Sequence, residues 1–277
     1  QVGETMIDGT LGGGGHGLEI AKMTSPDGRF LGVDQDAIRI EEARGRFKED
    51  GVKLSKFVVT QGNYADLPEI MEQIGFDMAD GLLVDLGFSS DQLVEGRGFA
   101  FKGSEEPLKM TYNENDYPLY QVLPTLSEKT VEMIIKDLSD ERYARRIAKA
   151  IKFSEKRILT NKDLAEVVRR ALPSNYEHGR IDPATRTFMA FRIYINRELE
   201  NLGRLLGELE KIIKPEGRVV IISFHSKEDE MVKAVFKDLV AEGKAEFITK
   251  DVVRASETEI QDNPRSRSAK LRAIKIK

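Results

Sequence analysis

The sequence predicts an α/β protein, a doubly wound and mostly parallel sheet with an inserted helical domain. Three observations lead there. Short apolar segments alternate with helical segments through the first ninety residues, a glycine run joins the first such pair, and no strand pattern occurs from about Gly98 to Asn196. Strands that are apolar throughout and separated by helices belong to a parallel sheet covered on both faces. The expected division is a discontinuous sheet domain, residues 1–97 and 197–277, around a helical domain at 98–196.

The elements follow in order. Thr5-Met6-Ile7 is a strand ending at Asp8, followed by a glycine-rich turn and a helix from about His16 to Met23. Arg29 to Asp34 is the second strand, Asp36 to Glu49 a helix, Phe57 to Thr60 the third strand and Leu67 to Ile74 a helix. Gly81 to Asp85 is the fourth strand. Helices are then expected over Thr130–Leu138, Asp140–Phe153 and Lys162–Ala171, the last ended by Pro173, which cannot continue a helix. Ala184 to Ile213 reads as one long helical stretch, with Asp182 as N-cap and Pro183 at the first helical position. Lys214-Pro215-Glu216-Gly217 is a turn before the strand Val219–Ile222, and Lys227 to Ala241 is a helix. Glu246–Thr249 and Leu271–Ile276 close the chain as strands, the last alternating apolar and basic as an edge strand would.

Composition narrows the functional classes. The chain has 277 residues, 40% hydrophobic and 32% charged, enough apolar content for a sizeable soluble core. It has no cysteine, which excludes disulfides, thiolate catalysis and cysteine-held metals. The three histidines, His16, His178 and His225, are too scattered to suggest a metal site. No apolar run approaches the ~20 residues that span a bilayer. A cytoplasmic location is expected, without a membrane partner, and further residues are expected upstream of Gln1.

The net charge of −4 does not advertise a nucleic-acid binder, but local charge does. Between Arg142 and Arg157 there are seven basic residues against one acid, and from Asn263 to Lys277 six basic residues and no acid. Either stretch alone reads equally well as a solvated face. Together they suggest a polyanionic partner met by patches.

Asp8-Gly9-Thr10-Leu11-Gly12-Gly13-Gly14-Gly15-His16-Gly17 joins the first strand to the first helix. Glycines there permit a sharp turn and a close ligand, and a helix N-terminus offers free N–H groups to a negative group. Asp34, at the end of the second strand, can accept hydrogen bonds from both hydroxyls of an adenosine ribose. NAD and S-adenosylmethionine both carry that ribose, so Asp34 does not separate them. Tyr64, after the third strand, is placed to pack against an adenine or to fill the core.

The stretch Asp85-Leu86-Gly87-Phe88-Ser89-Ser90-Asp91-Gln92-Leu93, followed by Arg97-Gly98-Phe99, is more specific. With the glycine run it resembles the RsmH (MraW) family, the bacterial cytosine-N4 methyltransferases of 16S ribosomal RNA. Pro183-Ala184-Thr185-Arg186-Thr187-Phe188, Ile222-Ser223-Phe224-His225-Ser226-Lys227-Glu228-Asp229 and Asn263-Pro264-Arg265-Ser266-Arg267 agree, in the family's order. The resemblance implies a class I, Rossmann-like methyltransferase fold and S-adenosyl-L-methionine as cofactor. It implies cofactor contacts from Gly14, Gly15, His16, Asp34, Tyr64, Asp85 and Gln92. Lys109-Met110-Thr111-Tyr112 departs from the family's Asp-Met-Arg-Met, Asp91 stands where proline is commoner, and Lys227 where leucine is commoner. The family's usual opening segment before the first strand is missing.

The expected activity is methylation of the N4 amine of a cytidine in 16S ribosomal RNA. Asp85 is the candidate acceptor that orients N4, Phe88 the candidate stacking ring, and His225 a candidate lining of the base pocket. Arg142, Arg145, Arg146, Lys149, Arg265 and Arg267 are the candidate phosphate contacts, and no metal is expected. Three alternatives stay open at this stage: an NAD-dependent dehydrogenase, a non-catalytic cofactor-binding factor in ribosome assembly, and a methyltransferase with another substrate. The oligomeric state is also open, a homodimer included.

Overall fold

The computed structural model describes residues 1–87, 96–176, 182–249 and 251–277. The chain forms two compact units, one of residues 1–87 and 199–277, the other of residues 88–198.

The first unit is built on one sheet. Its strands are β1 (Thr5–Asp8), β2 (Arg29–Asp34), β3 (Lys56–Gln61), β4 (Ala79–Asp85), β5 (Ile213–Ser223), β6 (Ala245–Phe247), β7 (Val253–Arg254) and β8 (Lys270–Ile276). Their order is β3-β2-β1-β4-β5-β8-β6, with β7 also paired to β8. The first five are mutually parallel, and β8 runs antiparallel to β5, β6 and β7. The order reverses between β1 and β4, the switch point at which open α/β sheets bind ligands beyond their strand tips. Helices α1 (Gly15–Thr24), α2 (Ala37–Asp50), α3 (Leu67–Gln73) and α11 (Ser226–Ala241) cover it.

Burial explains the strand pattern. Ile7, Leu31, Val33, Leu82, Val84, Val219 and Ile221 are at most 1% exposed and join one core with residues of α11. Asp36 caps α2 by accepting the Ile38 N–H at 3.0 Å.

Two sequence expectations are corrected here. The Lys214–Gly217 turn is a bulge inside β5: Ala79 pairs with Ile213, Gly81 already with Arg218, and Glu216 takes a φ of 67°. The last strand is interior, not an edge. Its basic residues are neutralised locally, Lys270 and Arg272 by Asp229 and Lys275 by Glu216 and Glu246, so alternation with cations did not require solvent on that side.

The second unit is helical: α4 (Leu119–Val122), α5 (Glu128–Ser139), α6 (Ala144–Lys152), α7 (Asn161–Ala171) and α8 (Ala184–Ile195). Thr160 caps α7 in a reciprocal pair with Asp163, and the Asp182 carboxylate accepts the Ala184 N–H at 2.9 Å. The helix expected from Asp140 starts at Ala144, because Asp140 ends α5 with a left-handed φ of 53°.

The single helix expected over 184–213 is three: α8, α9 (Glu198–Gly207) and α10 (Leu209–Ile212). The break at Asn196–Arg197 has a cause. Asn196 donates to the Met110 carbonyl and accepts the Tyr112 N–H, each at 2.8 Å, and Arg197 turns left-handed at φ 50°.

The same contacts accommodate the departure at Lys109–Tyr112. Met110 sits fully buried at φ 57°, held by its N–H on the Arg97 carbonyl. Tyr112 stacks on Phe99 and donates to Glu198, which also takes Arg192 at 2.9 Å. Among the described residues no helix is long and apolar enough to cross a membrane.

Candidate functional site

The site gathers at the tips of β1, β2 and β4. Asp8 ends β1 fully buried; its Oδ1 accepts the Thr10 N–H at 3.1 Å, while its buried Oδ2 accepts no hydrogen bond from the described residues. The Thr10 hydroxyl accepts the Asp85 N–H at 2.6 Å and so ties the β1 and β4 tips together. The glycine run is pinned to β2: the Leu11 N–H bonds the Val33 carbonyl at 2.9 Å and the Gly12 N–H the Asp34 Oδ2 at 2.8 Å. Gly12 and Gly14 have φ of 51° and 80°, which favour glycine. A side chain at Gly14 would also press on Ala43 and Phe47 of α2. Gly14 caps α1 with no side-chain acceptor, and no acid lies in the first turn. That end of α1 offers N–H groups to a negative group from outside.

Asp34 accepts two backbone N–H groups, from Gly12 and from Asp36 at 2.9 Å. Burial pushes its carboxyl up, while those donors and Arg39 pull it down. Asp85 ends β4 partly buried; its Oδ1 has no hydrogen-bond partner among the described residues, and its Oδ2 lies 3.7 Å from His16 Nε2 at the start of α1. Burial raises its carboxyl to about 6, with His16 opposing and Glu228 adding. Asp8 is raised further, to about 7, by burial and by the neighbouring charges of Asp34 and Asp85.

Three carboxylates converge, two of them holding buried oxygens without donors among the described residues. A pyrophosphate-bearing dinucleotide would add negative charge beside them. A cationic ligand would supply what is missing. S-Adenosylmethionine fits this set: a sulfonium and an ammonium for the acids, a ribose for Asp34, and a carboxylate for the α1 terminus.

The other sequence candidates fall as follows. Gly14, Gly15, His16, Asp34 and Asp85 are brought together. Tyr64 follows β3 in a turn capped by Asn63, and its ring is only 8% exposed within the main core. His225 caps α11; its Nδ1 accepts the Glu228 N–H at 3.4 Å, and its Nε2 lies 3.1 Å from Glu228 Oε1. Phe88, Gln92 and His178 lie outside the described residues.

Arg145, Arg146 and Lys149 stand exposed on α6, opposite buried Ala144, Ile147, Ala148 and Ile151. Arg142 lies over the Tyr143 ring, 5.0 Å from its centroid. In the tail Arg265 and Arg267 are exposed on a short turn at Pro264–Ser268, and Lys277 is exposed after the last strand. Lys270, Arg272 and Lys275 are paired with acids of the same unit. Sequence reading missed Thr10 as the link between strand tips and Glu228 as the acid behind His225. A capping-box spacing before α11 is the signal that marks Glu228.

The sheet order, the switch-point position and this carboxylate set define a class I S-adenosyl-L-methionine-dependent methyltransferase. The model of the MraW methylase family matches residues 1–277, and the chain belongs to that family. Among curated relatives, "Ribosomal RNA small subunit methyltransferase H" of Koribacter versatilis is 43% identical over 276 residues, covering 98% of this chain and 87% of that protein. The protein of the same name from Syntrophotalea carbinolica is 38% identical over 294 residues, covering 99% and 92%. That from Coprothermobacter proteolyticus is 40% identical over 273 residues, covering 97% and 88%.

Proposed function

We propose that the chain transfers a methyl group from S-adenosyl-L-methionine to the N4 amine of a cytidine in 16S ribosomal RNA. The observation that carries this reading is Asp85: a carboxylate at the switch point with one buried oxygen that no described residue satisfies. The family and its curated relatives, named for the small-subunit ribosomal RNA, support the RNA class of the substrate. The motif resemblance supports the cytosine N4 position.

Bound at this site, the cofactor supplies a methyl group on a cationic sulfur. Asp34 would hold the ribose hydroxyls, and the N-terminus of α1 would hold the carboxylate. The N4 lone pair of cytosine is delocalised into its ring, so the protein's main work is alignment. Asp85 accepts a hydrogen bond from the amine and turns its lone pair toward the methyl carbon. An amine that gains that methyl group would be left with one proton too many. A carboxyl raised to about 6 accepts that proton and returns it to water. The target base must leave its stack to be reached. The Arg142–Lys149 face, with Arg265 and Arg267, serves the phosphates.

The test is transfer of labelled methyl to small ribosomal subunits lacking the modification, and to the free RNA, followed by nucleoside analysis. The expected product is N4-methylcytidine. Label on another base, or none on either substrate, overturns the reading.

A further inference from the structure

The helical unit carries a groove that the methyl-transfer site does not use. It lies between the end of α6 and α7, with a volume of about 320 Å³, at the lower end of the ~300–1,000 Å³ range of small-molecule pockets. Ala150, Ile158 and Val167 give it apolar walls, and Ser154, Lys156 and Arg157 a polar rim. Its acids are largely occupied. Asp163 accepts the Leu159 and Thr160 N–H groups at 3.0 and 2.9 Å, and Glu166 pairs with Arg170, leaving Glu155. Lys149, Lys156 and Arg157 are exposed and have no acidic partner among the described residues.

Beside this groove stands Phe153, 70% exposed at the C-terminal end of α6. Its N–H bonds the Lys149 carbonyl at 3.0 Å, so it continues the last turn of α6, and it is next in the chain to Ser154 of the groove rim. An exposed aromatic ring beside unpaired cations and a nucleotide-sized slot is the pattern of single-stranded nucleic-acid binding. Bases stack on rings and phosphates meet cations.

We propose that this groove binds an unpaired nucleotide of the RNA substrate, with a base stacked on Phe153 and the adjoining phosphates on Lys156 and Arg157. This rests on the RNA reading above and adds a docking point separate from the reacting cytidine. Charge decides the occupant. Two free cations, Lys156 and Arg157, face one free acid, Glu155, and the apolar area is one ring and a narrow wall.

The test uses the full chain and a short fluorescein-labelled single-stranded RNA. Phe153→Ala and Phe153→Leu should each weaken binding about fivefold or more, with no change in salt dependence, and Phe153→Trp should restore it. Lys156→Gln with Arg157→Gln should lower the salt slope by about 1.4. Photocrosslinking with thiouridine-substituted RNA should label the peptide containing Phe153. S-Adenosylhomocysteine binding, unchanged in every variant, reports the intact fold.

Wild-type RNA affinity in the Ala and Leu variants, or crosslinks only elsewhere, overturns the groove. If the wild-type chain still methylates subunits, that failure leaves the RNA reading standing. A wild-type chain that neither binds nor modifies RNA overturns both. Loss of binding to intact subunits alone, with the oligonucleotide unaffected, assigns the ring to a protein contact and also overturns the proposal.

Discussion

Replacing Asp8 by Asn should make the ligand-free protein more stable at pH 8 and less stable at pH 4. Asp8 is buried at the tip of β1 with one oxygen unsatisfied, and its carboxyl is raised from 3.8 to about 7. A carboxyl that binds its proton more tightly in the folded than in the unfolded state stabilises the fold at low pH. That contribution is complete below about pH 4 and is lost as the pH rises to about 7. A shift of about three units corresponds to about 4 kcal/mol at pH 8. Asparagine keeps the shape and the oxygen facing the Thr10 N–H, but it buries an amide NH2 at about 1–3 kcal/mol. The net gain at pH 8 is then about 1–3 kcal/mol, or about 2–10 °C in melting temperature at this chain length. Thermal unfolding of both proteins across pH 4–8 measures it. Parallel melting curves at every pH, or a variant less stable at pH 8, would refute a buried, uncompensated Asp8.

Three further outcomes follow from the same structure. Asp85→Ala should abolish methyl transfer while leaving the fold intact. In the wild type, transfer should fall as the pH drops through about 6, where Asp85 takes up its proton; substantial activity in the variant would remove the role given to this residue. Neutralising Arg145, Arg146 and Lys149 together should lower the salt slope of RNA binding by about 2, read by titration at several ionic strengths. An unchanged slope excludes that helix face from the footprint. Tyr112→Phe should destabilise the helical unit by about 1–2 kcal/mol in denaturant unfolding, because buried Glu198 loses the phenol donor; a neutral effect would show that the remaining partners of Glu198 satisfy it.

Most of the sheet was legible because parallel strands are written as uninterrupted apolar runs, and β1 to β5 each carry one. What failed was local and has physical causes. The break after Ile195 depends on Asn196 reaching across to Met110 and Tyr112, a contact 86 and 84 residues distant in the chain. The interior position of β8 depends on Asp229, which lies on α11 and pairs with Lys270 and Arg272. The site was legible wherever a carboxylate ends a strand, as at Asp34 and Asp85. The Thr10 bridge was not, since a hydroxyl inside a glycine run has no periodicity to mark it. Nor did sequence show that Tyr64 is already buried in the core, or that much of the basic tail is neutralised at home.

The strand-tip carboxyls hold protons until a cation arrives. Calorimetric binding of S-adenosylmethionine at pH 6.5, in two buffers of different ionisation enthalpy, measures that directly. With Asp8 near 7 and Asp85 near 6, binding should release about one proton. S-Adenosylhomocysteine, without the sulfonium charge, should release fewer, and Asp8→Asn with Asp85→Asn nearly none. Identical heats in both buffers for the wild type, with normal affinity, would contradict the account.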